Sequence, residues 1–86
     1  MSKILACHLY DYIEVICLYR YSVLITLING QQINGVFNTT GFTATPIKQE
    51  VIYGKQINGV DIEVILTDIK SIKVLNENAQ FSIVHF

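Results

Sequence analysis

Val23-Leu24-Ile25-Thr26-Leu27-Ile28 is apolar on both sides of an extended chain: Val23, Ile25 and Leu27 point one way, Leu24 and Ile28 the other. Such β-branched and large apolar residues suit a pleated strand. An antiparallel strand with one wet face alternates apolar and polar residues, so this one must be covered on both sides. Asn29-Gly30 follows at once. It is a strong hairpin signal, because both residue types tolerate positive φ. Residues 31–40 then return as a second strand. Gly35 inside that return predicts a bulge or sharp bend, with Ile33 and Phe37 supplying bulk beside it. A bent second strand lets a small sheet curl and shield its edges.

The cover must come from a short chain. At 86 residues it is one domain, 1–86, near the lower end of what folds on its own core. Hydrophobic residues make up 51% and charged residues 15%, which excludes disorder. A net charge of −1 gives no general attraction to nucleic acid or to an anionic membrane surface. The apolar run at the N-terminus is interrupted by His8, Tyr10 and Asp11 before it reaches signal-peptide length. No run is long enough to span a membrane as a helix. A cytoplasmic protein is the expectation.

Residues 12–20 are rich in strand formers, yet three features predict a helix. Asp11 and Glu14 have the spacing of an acidic capping box. Tyr12, Val15, Ile16 and Tyr19 fall on one helical face. The acids precede Arg20, the order a helix dipole favours. At two and a half turns this helix needs a docking surface, expected over one face of 23–28. Asp11 and Glu14 then point outward together, either as a cap with a solvated face or as an acidic contact surface.

Residues 42–50, preceded by Gly41 and containing Thr43, Thr45 and Pro46, read as a long turn rather than a binding loop. A third strand is expected over 50–57, with Asn58-Gly59 as a second hairpin turn and 60–66 returning. Ile62, Val64 and Leu66 share one face of that return; Asp61, Glu63 and Ile65 share the other. The pentapeptide Gln32-Ile33-Asn34-Gly35-Val36 recurs as 56–60, without extending into a repeat architecture. It is expected to play two roles, a strand bend first and a tight turn later. Residues 67–72 look like a single turn leading into a short strand at 73–75. A polar connection over 76–80 and a closing strand over 81–86 complete the chain.

No phosphate loop, nucleophile elbow or metalloprotease helix is present, so no enzyme is expected. Cys7, His8 and Cys17 lack the paired spacing of a zinc site. The cysteines read as partly buried structural thiols, and no metal or cofactor is expected. The residues alone predict a binding module: a small bent sheet or barrel with one N-terminal helix.

The segment from Cys7 to Tyr21 carries Cys7, Tyr10, Asp11, Glu14 and Cys17, and it resembles the N-terminal signature of the Rho-binding antiterminators, the Rof or YaeO family. Leu27-Ile28-Asn29-Gly30, the stretch Gly35-Val36-Phe37-Asn38-Thr39-Thr40 and the tail from Asp68 also resemble that family. The resemblance implies an Sm-like, strongly bent antiparallel barrel or sandwich with an N-terminal helix. It implies binding to the transcription termination factor Rho, on its N-terminal primary RNA-binding region, so that RNA cannot load. Asp11 and Glu14 are the contact residues it implies; Tyr10 and Tyr12 flank them as further contact candidates, Tyr10 being either a contact or the helix staple. The chain would compete with RNA rather than bind it, as a monomer. The alternative is an Sm-like RNA-binding module, against which the dispersed Lys48, Lys55, Lys70 and Lys73 argue.

Overall fold

The computed structural model describes residues 7–43, 48–77, 79 and 82–86. Helix α1 (Cys7–Tyr19) precedes six strands, β1 (Ser22–Leu27), β2 (Gln32–Phe42), β3 (Glu50–Gln56), β4 (Asp61–Ile65), β5 (Ile69–Val74) and β6 (Ile83–His85). All neighbours are antiparallel, in the order β4-β3-β2-β1-β5-β6. The expected class, mainly β with one N-terminal helix, is what the chain adopts.

Connectivity forces the sheet to curl. β4 and β5 are four strand spacings apart in the order, or about 19 Å in a flat sheet. Only the 3-10 turn Leu66–Asp68 joins them. Even fully extended, the link from Ile65 to Ile69 spans no more than about 14 Å. The sheet therefore wraps round until the end of β4 meets the start of β5. There the N–H of Ile28 donates to the Asp68 carbonyl at 2.9 Å. Among the described residues no ladder joins β4 to β6, so the barrel is partly open.

The interior is one cluster drawn from every element, including Leu9, Ile13 and Ile16 of α1, Val23 and Ile25 of β1, Phe37 of β2, Ile52 of β3, Val64 of β4, Ile72 of β5 and Val84 of β6. Val23 and Ile25 are fully buried, whereas on the other face Leu24 and Thr26 are only half-buried and Ile28 is 59% exposed, so β1 is covered on one face and only partly shielded on the other, contrary to the expectation.

The bend in β2 differs in detail from the expectation. Its register with β3 shifts between Phe37 and Thr39, which places the bulge at Asn38. Gly35 serves close approach instead: a Cβ there would strike the carbonyl oxygen of Lys55, and one on Gly54 would strike that of Val36. Two glycines from facing strands let β2 and β3 cross tightly where the sheet turns.

Both Asn-Gly hairpins form, with a different turn from the one expected. Within these turns only Gly30 and Gly59 have positive φ, at 90° and 86°. Gly30 N–H donates to Leu27 and Gly59 N–H to Gln56, while Asn29 and Asn58 accept from the backbone of Gln31 and Val60 through Oδ1. Each loop is thus three residues long, a tight turn followed by a left-handed glycine. The repeated pentapeptide does play two roles, and its copies meet where Ile57 N–H donates to the Asn34 carbonyl.

Two boundaries move. The turn expected over 67–72 is only three residues long, and β5 begins at Ile69. Ile69 and Ile72 both face the core because the register against β1 shifts between Thr26 and Leu27, giving a spacing of three that imitates a helix. The 42–50 turn is shorter than expected, since β2 runs to Phe42 and β3 starts at Glu50. Thr45 and Pro46 lie outside the described residues, as does Phe81, the expected start of the last strand.

Candidate functional site: the outward face of the N-terminal helix

The helix starts at Cys7, so Asp11 lies beyond its first turn and Asp11–Glu14 is not a capping box. No basic residue stands in the last turn either; Arg20 follows the helix with φ 52°. The buried face also differs from the expected one. Leu9, Ile13 and Ile16 are buried, at spacings of four and three, whereas Tyr12 and Tyr19 are 37% and 54% exposed. The helix backbone lies against β2 rather than over β1.

The helix end is closed by a Schellman-type bond. Tyr21 N–H donates to the Ile16 carbonyl at 3.2 Å, and both side chains join the core. Tyr19 stacks on Tyr21, with ring centroids 5.6 Å apart and planes 17° from parallel. At the other end, the half-buried Tyr10 donates its hydroxyl to Glu50 Oε1 at the start of β3. These two contacts fix the helix on the sheet.

With the buried side fixed, the outward side follows from 100° per residue. Asp11, Glu14 and Leu18 fall opposite Leu9, Ile13 and Ile16, and all three are exposed. Tyr12 and Tyr19 border them. Neither Asp11 nor Glu14 is paired with a cation among the described residues. The structure therefore brings Asp11 and Glu14 to one surface, places Tyr10 at its edge beside Glu14, and leaves Tyr12, 37% exposed, on the flank toward the buried side. Leu18 was missed by the sequence reading. Its signal was available, since it stands seven residues after Asp11 on a helix.

The rest of the surface offers less. An open groove between β2, β3 and β4 is lined by Asn38, Tyr53, Lys55, Asp61 and Glu63, and its lysine is already paired with Asp61 at 3.3 Å. Among the described residues, no three His, Cys, Asp or Glu side chains converge as a metal site would need. Cys17 is partly buried, and this burial pushes its thiol pKa up, away from the reactive thiolate. No described helix is long and apolar enough to cross a membrane.

Comparison with known proteins agrees with this fold. A family model described as "Modulator of Rho-dependent transcription termination (ROF)" matches residues 4–86. The solved structure of YaeO bound to magnesium, from Vibrio cholerae O395, aligns with a TM-score of 0.79 at 31% identity. The alignment covers 90% of this chain and 96% of that one. Comparison with curated proteins gives no match. The fold and the match along nearly the whole chain lead to one conclusion: this chain belongs to the ROF family of modulators of Rho-dependent transcription termination.

Proposed function

We propose that the chain inhibits Rho-dependent termination by laying the outward face of α1 on the N-terminal primary RNA-binding region of Rho, so that RNA cannot load. The observation that carries this reading is the pair Asp11 and Glu14, exposed side by side on a rigid helix with no cation of their own among the described residues. An RNA-binding surface offers cations for phosphates and apolar or aromatic platforms for bases. Carboxylates satisfy the first and tyrosine rings the second. In this reading Asp11 and Glu14 pair with Rho cations, and Tyr12 packs beside them. Tyr10, its hydroxyl held by Glu50, contributes only the exposed part of its ring. The protein acts in the cytoplasm, as a monomer on each site.

The test is a binding titration against intact Rho, repeated with a short pyrimidine-rich RNA as competitor. Binding that RNA displaces is the expected result. Asp11→Lys with Glu14→Lys should weaken it by about a hundredfold or more, since each change sets like charges against each other. Both positions are exposed and neither is a cap, so the variant keeps its fold; lysine is a good helix former. A folded double variant that still binds at wild-type strength refutes the proposed surface. If the chain binds RNA at low salt without Rho, and loses it steeply as salt rises, the RNA-binding alternative takes over.

A further inference from the structure

We propose that Leu18 is the apolar anchor of the Rho contact, and that apolar burial along α1, rather than net charge, holds the complex together. This rests on the reading of α1 as the Rho-facing surface. Helix α1 is apolar on more than its docking side. Leu9, Ile13 and Ile16 bury one face, while Leu18 is 74% exposed on the opposite one.

A lone exposed leucine is ordinary on a protein surface. Leu18 differs in its setting. It shares an arc of about 60° with Asp11 and Glu14, so one partner surface meets all three. Tyr19 stands beside it, its ring held against Tyr21. Leucine and tyrosine are therefore presented by a rigid element, with little ordering left to lose on binding. The acids select a surface with cations, and the leucine selects one with an apolar pocket next to them. A site built to hold phosphates and bases together has both.

The formal charge of the chain, −1, gives little long-range steering toward a basic target. Affinity must then come from the contact itself. RNA depends on released counterions and weakens steeply with salt; an apolar anchor does not. The chain should accordingly gain on RNA as ionic strength rises.

The test titrates the full chain against intact Rho between about 50 and about 300 mM salt. Four proteins are compared: wild type, Leu18→Ala, Asp11→Asn with Glu14→Gln, and Asp11→Lys with Glu14→Lys. Leu18→Ala should weaken binding about tenfold at every salt and leave the salt slope unchanged. The amide variant should flatten the slope. Alanine at an exposed helix position keeps the fold, which circular dichroism checks. If Leu18→Ala binds as well as wild type while Asp11→Lys with Glu14→Lys does not bind, the anchor is refuted and the acidic contact stands. If wild type fails to bind Rho, both fall.

Discussion

Arg20 shows what a single residue is asked to do in this chain. The Schellman-type end of α1 needs a left-handed residue between Tyr19 and Tyr21, and Arg20 supplies it at φ 52°. That conformation costs a side-chain-bearing residue about 1 kcal/mol, which glycine avoids. Arg20→Gly should raise stability by about 0.5–1 kcal/mol, read as a higher thermal midpoint. An unchanged or lower midpoint would show that the arginine side chain offsets its backbone strain. Asp11 teaches the complementary lesson. Its type and spacing to Glu14 fit a cap, and the pair is instead an exposed part of the helix body. Only the position of the helix start separates the two roles. The outward direction of Asp11 and Glu14 was legible in the sequence. The apolar helix face was not, because Leu9 belongs to it and lies upstream of the assumed start.

At the scale of elements, the β2–β3 crossing sets the shape of the sheet. β-branched runs, Asn-Gly turns and the Ile62–Val64–Leu66 alternation announced the strands and hairpins. Gly35 announced a special point on β2. Its reason, the close approach of β3, depends on Gly54 standing across the ladder, and pairing register is not written in either strand alone. A Cβ on Gly54 would lie 2.6 Å from the Phe37 Cα and 2.9 Å from its Cδ1, with the Val36 carbonyl oxygen nearer still. Gly54→Ala should therefore cost about 2–3 kcal/mol in urea unfolding. Gly30→Ala, where nothing lies within 4 Å and only the positive φ opposes a side chain, should cost about 1–2 kcal/mol. Equal losses at the two sites would argue against a tight crossing.

At the scale of the molecule, the curl that brings β4 to β5 leaves two strand edges, on β4 and β6. β4 carries exposed Asp61 and Glu63, and β6 is three residues long. Charged and short edges resist pairing with a second copy. The free chain should sediment as a 9.7 kDa monomer at concentrations up to about 100 μM, because neither edge favours pairing. A concentration-dependent rise to dimers or larger rings would show that an edge is used.

Residue patterns alone announced the class, the two Asn-Gly hairpins and the presence of an N-terminal helix. Each of these is a local matter of periodicity, turn chemistry and side-chain shape. The sequence also carried the family, through Cys7, Tyr10, Asp11, Glu14 and Cys17. Tertiary structure decided where α1 begins, which of its faces is buried, where β2 bends, and that Ile69 belongs to a strand. Those outcomes depend on contacts between distant residues: Tyr10 with Glu50, Gly54 with Phe37, Ile28 with Asp68. The outward stripe of Asp11, Glu14 and Leu18 is defined only as what remains once the opposite side of the helix has been buried.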